Sequence, residues 1–243
     1  MGAAFGWGTL AACSLVIGAL VALWFKISLR AIGLIMGFGA GVLISAVAFD
    51  LVEEAASKSS GQGAVAAGIF AGCLVFFGGD LLISRFGGSD RKDASGAQGS
   101  GSALAIVLGS VLDGIPESMV IGLTIFQGGA VGAAYLAAVF ISNLPESISS
   151  TTGLATGGWK KARILWLCIV IAVISGLASL AGYSLFQHSS PDTVAIVLTF
   201  AAGAIITMLA DTMMPEAYEH GGNLVGVVTT LGFALAFVIH TLD

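Results

Sequence analysis

The stretch VLDGIPES at residues 111–118 and the stretch SNLPES at residues 142–147 each carry a Pro-Glu pair inside an apolar segment of helical length. A third pair, Pro215-Glu216, lies in another such segment. A carboxylate in hydrocarbon is costly unless it lines a cavity or meets a partner, so acids inside membrane helices indicate a substrate or ion pathway. Proline also kinks a helix and frees a backbone carbonyl, here that of Leu112 and that of Ile141.

The composition places the chain in a membrane. Of its 243 residues, 57% are hydrophobic and 9% are charged, whereas a soluble domain carries about 25% charged residues. Apolar stretches near or above the roughly 20 residues that cross a bilayer predict an all-α integral membrane protein with eight transmembrane helices. We expect these helices at about residues 3–25, 31–52, 63–84, 103–126, 130–156, 163–186, 193–217 and 222–241. They form one polytopic domain over residues 1–243, with a flexible cytoplasmic loop at 86–101.

The basic residues predict the orientation, since Lys and Arg are retained on the cytoplasmic side of a membrane. Of the nine, only Lys58 falls on the side opposite to the others. The rest follow the first, third and fifth predicted helices: Lys26, Arg30, Arg85, Arg91, Lys92, Lys160, Lys161 and Arg163. Both termini are therefore expected outside the cytoplasm of a plasma membrane, which in a bacterium is the inner membrane. No positive charge precedes the first helix, so a cleavable signal peptide is not expected.

Two further features exclude classes of function. Cys13, Cys73 and Cys168 lie singly in three predicted helices, which argues against a disulfide scaffold or a thiolate metal cluster and favours packing roles. The net charge of −5 argues against nucleic acid as a partner.

A segment of the second predicted helix is similar to one of the seventh. A shift of 162 residues, the difference between 203 and 41, lays Gly41–Ala55 on Gly203–Ala217 with five identities in fifteen positions. The two helices run in opposite directions, as in the inverted repeats of transporters, so predicted helices 1–3 and 6–8 would flank helices 4 and 5. Two alanine-rich helices can also match this well by chance. Gly33, Gly37 and Gly41 place small residues on one face for close helix contact.

Three carboxylates are predicted to converge near the middle of the bilayer. Asp113 and Glu117 are four residues apart and share a helix face. Predicted helices 4 and 5 are joined by a few residues around Gly128, so we expect them to be antiparallel neighbours. Counting from that turn, Glu146 lies within about 5 Å of the depth of Asp113.

Clustered carboxylates repel each other and must be protonated or neutralised by a cation. Every Lys and Arg lies in or beside a loop, which leaves protons or a bound metal ion. The carboxylates, a freed carbonyl and the hydroxyl of Ser110 or Ser142 form a plausible oxygen ligand set for a divalent cation. The alternative is three neutral acids that are hydrogen-bonded inside a helix bundle.

Other acids indicate a route through the protein. Asp50, Glu53 and Glu54 are expected at the outer end of helix 2, and Asp211 and Glu216 near the inner end of helix 7. A polar stripe toward the cytoplasm is expected along helix 5, formed by Ser142, Glu146, Ser149 or Ser150, and Gly153. Acids at helix ends are easily solvated, so for Glu53, Glu54, Glu216 and Glu219 a purely interfacial role stays open. The histidines, His188, His220 and His240, all fall at helix ends or loops.

These segments resemble the ZIP (zinc/iron permease) family of metal transporters. The helix 4 motif of that family, His-Asn-x-Pro-Glu-Gly, is similar to residues 113–118, and its helix 5 motif, His-Glu/Asp-x-Pro-His/Glu, is similar to residues 142–146. The resemblance implies eight helices, both termini outside, and a transport site on helices 4 and 5. The helix 7 stretch at residues 214–217 is also similar.

The chain departs from the family pattern at several ligand positions. Asp113 and Ser142 replace the two histidines, Gly114 replaces the asparagine, and Asn143 replaces the helix 5 acid. What remains of the family's binuclear site resembles one metal position, bound by Asp113, Glu117 and Glu146. A site richer in oxygen than in imidazole favours harder ions such as Mn²⁺ or Fe²⁺, although carboxylates also bind Zn²⁺.

The sequence therefore predicts a transporter, not an enzyme, that carries a divalent metal ion (Zn, Fe or Mn) toward the cytoplasm. The candidate metal residues are Asp113, Glu117, Glu146, Ser142 and Asn143 at the centre, Asp50 and Glu54 outside, and Asp211 and Glu216 inside. The expected partners are the lipid bilayer and the metal ion, without nucleic acid or an organic cofactor, and homodimerisation is left open. One alternative is a degenerate family member that senses metal or carries another cation or protons. A remote alternative is an intramembrane aspartyl protease that uses Asp113 and Asp80.

Overall fold

The structure, a computed structural model, describes residues 1–86, 94–95, 103–128 and 132–242, with the side chains of 62, 103–106 and 126–128 excepted. These residues are mostly helical, and they contain no strand. The helices are α1 Gly2–Trp24, α2 Leu29–Lys58, α3 Gln62–Ser84, α4 Ala103–Gly128, α5 Ala133–Thr156 and α6 Lys161–Phe186. They are followed by α7, which comprises Pro191–Met208, Leu209–Met213 and Met214–Gly221, and, after the 3-10 turn Gly222–Leu224, by α8 Val225–Leu242.

The prediction of an all-α membrane protein is confirmed. In the part of the chain that is described, six stretches are long and apolar enough to cross a membrane: Gly2–Trp24, Leu29–Lys58, Gly63–Ser84, Val107–Ile125, Lys161–Phe186 and Pro191–Leu242. The last stretch contains both α7 and α8. Helix α5 is not among the six, and it carries Asn143, Glu146 and the hydroxyl-rich run 147–152. The count of eight crossings stays a prediction, as does the loop at 86–101, most of which lies outside the described residues.

Helices α2 and α7 begin in the same way. The Ser28 hydroxyl accepts a hydrogen bond of 3.3 Å from the Ala31 amide at the start of α2. At the start of α7, the Ser190 hydroxyl accepts one of 3.3 Å from the Thr193 amide, and Pro191 occupies the first helical position. Serine caps satisfy amides that have no partner inside the helix, and proline at this position loses no hydrogen bond.

Both helices also contain a π-helical segment that the sequence pattern does not predict. In α2 it covers Val47–Glu53, and in α7 it covers Leu209–Met213, directly before Pro215. A π-helical turn inserts an extra residue and rotates the side chains that follow, and such turns are frequent at functional sites. Asp50 and Asp211 each lie within one of these segments.

Glycines bring the helices into backbone contact. A side chain at Gly41 of α2 would collide with the Thr229 carbonyl of α8, and one at Gly33 would collide with the backbone of Gly221 in α7. Likewise, a side chain at Gly203 of α7 would collide with the Ile69 carbonyl of α3. The predicted close contact along Gly33, Gly37 and Gly41 is confirmed, and small residues of this kind allow membrane helices to associate by van der Waals packing.

Helices α4 and α5 are not packed against each other along their length, which corrects the prediction of close antiparallel neighbours. In the described residues α4 packs mainly on α6, and α5 packs mainly on α1 and α2. A short connection brings two helix ends together but does not fix the packing of the remaining turns. The space between α4 and α5 is instead occupied by a cavity.

Candidate metal site

A narrow cavity of about 40 Å³ lies among four helices. Helix α1 contributes Leu15, and α4 contributes Ser110, Asp113 and Gly114. Helix α5 contributes Asn143, Glu146, Ser147, Ser150, Thr151 and Leu154, and α6 contributes Leu167, Cys168, Ile171 and Ser175. The polar groups on its wall are therefore carboxylates, one amide, hydroxyls and one thiol.

The two carboxylates on this wall come from different helices. Asp113 of α4 is 4% exposed, and Glu146 of α5 follows Pro145, which lies inside the helix. Both line the same cavity, as expected from their equal depth counted from the turn between the helices. Asp113 is buried and Glu146 is partly buried, and two such acids on one cavity can share a cation as ligands.

Glu117 lies next to this cavity and not on its wall. It is 2% exposed and one helical turn from Asp113, and it interacts electrostatically with Tyr135 of α5, which is 1% exposed. Within the described ranges, no three His, Cys, Asp or Glu side chains stand close enough together to hold a metal ion. A complete coordination shell therefore requires Glu117 to move toward the cavity or neutral oxygens to contribute.

The two neighbouring residues of the helix 5 motif face different ways. The Asn143 side chain lines the cavity. The Ser142 hydroxyl instead donates to the Val139 carbonyl of its own helix at 3.0 Å, and Ser142 packs beside Gly39 of α2. Ser142 is fully buried away from the cavity wall, so its role as a metal ligand stays a prediction that this arrangement does not favour.

The polar stripe of α5 is rotated by one residue from the predicted one. The wall residues 143, 146, 147, 150, 151 and 154 recur at helical spacing on one face. Of the predicted stripe, Glu146 and Ser150 lie on this wall, whereas Ser142, Ser149 and Gly153 do not. Thr151 of α5 and Cys168 and Ser175 of α6 were not predicted as site residues. Helical spacing from Asn143 would have identified Ser147, Ser150 and Thr151, but no local signal marks the α6 residues.

The predicted outer acids form a separate, shallow pocket. Asp50, Glu53 and Glu54 line it together with Phe49 and Ser57 of α2 and His240 of α8. Nδ1 of His240 lies 2.7 Å from Oδ1 of Asp50, and its ring stacks on Phe49 with 5.6 Å between the centroids. Glu54 pairs with Lys58 at 2.9 Å, with both side chains about a third exposed. The contact between Asp50 and His240 was not predicted.

The predicted inner acids lie apart from the cavity wall. Asp211 is exposed. Glu216 is largely buried: its Oε1 accepts a hydrogen bond of 2.9 Å from the Ala94 amide and lies 2.9 Å from Nε2 of His220. His188 is exposed at the end of α6. Asp80, the second aspartate of the protease alternative, does not line the cavity that Asp113 lines.

Known proteins similar to this chain are zinc transporters. The zinc transporter ZIPB of Bordetella bronchiseptica is 28% identical over 239 residues, which cover 93% of this chain and 76% of that protein. The zinc transporter ZupT of Enterobacter sp. strain 638 is 27% identical over 210 residues, which cover 82% of this chain and 79% of the relative. ZupT of Escherichia coli O7:K1 has the same identity and coverage. No family model matches the chain.

These relatives are not enzymes, in agreement with the prediction that this chain is not one. With the apolar helices, they support a multi-pass protein of the inner membrane. ZIPB and ZupT belong to the ZIP family. Because they match over most of the chain, the resemblance seen in the Pro-Glu motifs is confirmed: this chain is similar to ZIP transporters, and it lacks the motif histidines.

Proposed function

We propose that the protein carries a divalent metal ion across the membrane toward the cytoplasm through a site between α4 and α5. The observation that carries this proposal is the cavity on which the buried Asp113 and the partly buried Glu146 meet from two proline-containing helices. Buried acids on a cavity wall in a membrane protein mark an ion pathway. The zinc transporters that resemble the chain support a divalent metal as the substrate.

The ion would bind mainly to oxygen. Asp113 and Glu146 supply carboxylate oxygens from the wall, Glu117 supplies a third carboxylate after a side-chain movement, and Ser110 and Asn143 supply neutral oxygens. Such a set suits Mn²⁺ and Fe²⁺ and also accepts Zn²⁺. The ion would hold the carboxylates together, because each is repelled by the others in its absence.

The cavity has the shape expected of a conformation open toward the cytoplasm. From Asp113 and Glu146 it extends along the C-terminal half of α5 to Leu154 and along the N-terminal half of α6 from Leu167. The positive-inside rule assigns these helix ends to the cytoplasm. On the opposite side of the carboxylates, Ile121 and Tyr135 are almost completely buried in the main hydrophobic cluster.

An inverted repeat would allow the alternative, outward-open conformation. A shift of 162 residues, the difference between 190 and 28, maps the capping serine of α2 onto that of α7. The same shift maps the first residue of one π-helical segment, Val47, onto that of the other, Leu209. It also maps Gly41, which contacts α8, onto Gly203, which contacts α3. Matched features in oppositely directed helices support an inverted repeat around α4 and α5, with eight crossings in all.

The outer pocket would collect cations from solution. Asp50, Glu53 and Glu54 place three carboxylates at its wall, and clustered surface charge raises the local concentration of counter-ions. At the inner end, Glu216 would assist release. An inside-negative potential favours cation uptake by about 2.3 kcal/mol per charge per 100 mV, which is a sufficient driving force.

Uptake of metal by lipid vesicles that contain the purified protein tests the proposal. Zn²⁺, Mn²⁺, Fe²⁺ and Co²⁺ should be offered separately under an inside-negative potential, with empty vesicles as the control. We expect uptake of at least one ion, saturable and dependent on Glu146. Binding without uptake would favour a metal sensor, and proton flux without metal uptake would favour a proton carrier.

A further inference from the structure

We propose that the hydroxyl of Tyr135 is a ligand for the entering metal ion, at a position between Asp50 of the outer pocket and Glu117 beside the cavity. This inference rests on the proposed function, because it names a binding position on the outer half of the same path. Tyr135 lies near the start of α5, outside the Pro-Glu motifs. It supplies a neutral oxygen within a cluster of apolar side chains.

The first observation is a buried hydroxyl that has no hydrogen-bond partner. Tyr135 is 1% exposed and packs in the main hydrophobic cluster, and its Oη makes no hydrogen bond within the described ranges. Leaving a buried hydroxyl unpartnered costs about 1–3 kcal/mol. A phenylalanine would fill the same space without this cost, so packing alone does not explain the hydroxyl. Its partner is an ion that reaches Tyr135 when the outer side opens.

The second observation is the charge around this tyrosine. Tyr135 interacts electrostatically with Glu117 of α4 and, less strongly, with Asp50 of α2. These acids belong to different regions of the protein. Glu117 lies beside the cavity, one helical turn from Asp113, whereas Asp50 lines the outer pocket with His240. Tyr135 is therefore close to an acid of each region.

The helix register places Tyr135 on the route between these acids. Tyr135 precedes Ser142 by seven residues, or about two turns, so both share a face of α5. Ser142 packs against Gly39 of α2, so this face is directed toward α2. On the predicted topology α2 runs outward and α5 inward. Counted outward from the contact of Ser142 with Gly39, Tyr135 lies seven residues away and Asp50 eleven, the differences between 142 and 135 and between 50 and 39. An ion that moves from Asp50 toward the cavity therefore passes Tyr135.

A phenol oxygen suits the same ions as the carboxylates. Its lone pairs can bind a cation while the group stays neutral, and together with the Glu117 carboxylate it forms a pair of oxygen ligands. Such ligands favour Mn²⁺ and Fe²⁺. Binding here is ligand exchange: bonds from the metal to water are replaced by bonds to the two side chains, and the water is released to the outer solution. No proton or electron is transferred.

Tyr135→Phe tests the inference, because it removes the oxygen and retains the ring. Initial rates of Mn²⁺ uptake are measured over a range of concentrations with lipid vesicles that contain the purified protein. We expect the half-saturating concentration to rise by about tenfold, the scale of one ligand's contribution at a metal site, with a nearly unchanged maximal rate. The matched control is Tyr183→Phe, which removes the hydroxyl of a partly buried tyrosine of α6 outside the cavity wall. It should behave as the wild-type protein does.

Thermal unfolding of the metal-free protein distinguishes a ligand from a structural hydroxyl. Tyr135→Phe removes a buried group without a partner, so its unfolding temperature should equal or exceed that of the wild type. A lower unfolding temperature would show that the hydroxyl has a structural partner, and it would overturn the inference. An unchanged concentration dependence of uptake in the folded variant would do the same.

A second measurement does not depend on transport. In a background with Cys13→Ser, Cys73→Ser and Cys168→Ser, Tyr135→Cys introduces a single thiol, and a membrane-impermeant methanethiosulfonate reagent is added to the outer side. We expect modification that Mn²⁺ slows. In the same background Ile32→Cys, equally buried but at the cytoplasmic end of α2 on the predicted topology, should not react. A thiol at position 135 that does not react, or whose reaction Mn²⁺ does not slow, would contradict the proposed position.

The two measurements separate this inference from the proposed function. Uptake that is the same in Tyr135→Phe and in the wild type would remove Tyr135 as a ligand and leave transport in place. Protection of position 135 by Mn²⁺ without uptake by the wild-type protein would retain the ion position and reject transport.

Discussion

The cavity between α4 and α5 and the outer pocket at the end of α2 both carry acids, but they place them in different surroundings. Asp113 is 4% exposed, whereas Glu54 is about a third exposed and already paired with Lys58. An exposed carboxylate remains solvated and contributes little to a specific site. A buried carboxylate has lost its hydration shell, so a bound cation stabilises it strongly. The comparison supports the proposal that the cavity binds the ion and that the outer pocket only concentrates it.

The largest effect is expected at the cavity. Glu146→Gln preserves the shape of the side chain but removes its charge, and should lower metal uptake by about 100-fold or more, since even indirect metal contacts contribute 10- to 100-fold. Glu117→Gln should have a similar effect if that side chain joins the ion. Glu219→Gln, an exposed acid of α7, is the matched control. Initial uptake rates near the wild-type value for Glu146→Gln would place the site elsewhere.

The next effect concerns ion preference at the same site. Asp113→His exchanges a carboxylate for an imidazole, which favours Zn²⁺ over Mn²⁺. Uptake with both ions in competition should therefore shift toward Zn²⁺ by roughly tenfold, the scale of one ligand's contribution. An unchanged ratio in an active variant would show that Asp113 does not touch the ion.

A smaller effect is expected in the outer pocket. Asp50→Asn can keep a hydrogen bond to His240 while it removes one charge, so uptake at low metal concentration should slow by roughly three- to tenfold, and less in high salt. The maximal rate should be nearly preserved. Asp192→Asn is a control, because Asp192 is an acid outside the pocket that accepts hydrogen bonds from Ser60. A reduced maximal rate with an unchanged concentration dependence would contradict the role of Asp50.

The smallest effect is expected for Glu54. Its pair with Lys58 is exposed, and such pairs contribute about 0–1 kcal/mol. Glu54→Gln should therefore change uptake by less than about twofold, the order expected from one well-solvated charge. A loss as large as that of Glu146→Gln would mean that the outer pocket is itself a binding site.

The sequence was sufficient to predict the helical membrane fold and the convergence of Asp113 and Glu146, which line one cavity. Long apolar segments and a short turn determine both, and neither depends on distant residues. The direction in which α5 faces was off by one residue, which is about 100° of rotation. That rotation depends on tertiary contacts, such as the packing of Pro145 and Ser142 against Gly39 of α2.

Other parts of the site could not be read from local sequence. The π-helical segments change the register of α2 and α7 without a change in the spacing of apolar residues. The pair formed by Asp50 and His240 joins residues 190 positions apart. Cys168 and Ser175 join the cavity only because α6 packs against α4, a contact that no motif in α6 specifies.

An anomalous difference map from crystals grown with Mn²⁺ tests the central claim most directly, because it locates the ion in either region without relying on transport. We predict the strongest peak in the cavity, within bonding distance of Asp113 and Glu146, and its loss in Glu146→Gln. A peak only in the outer pocket, beside Asp50 and His240, would contradict the account.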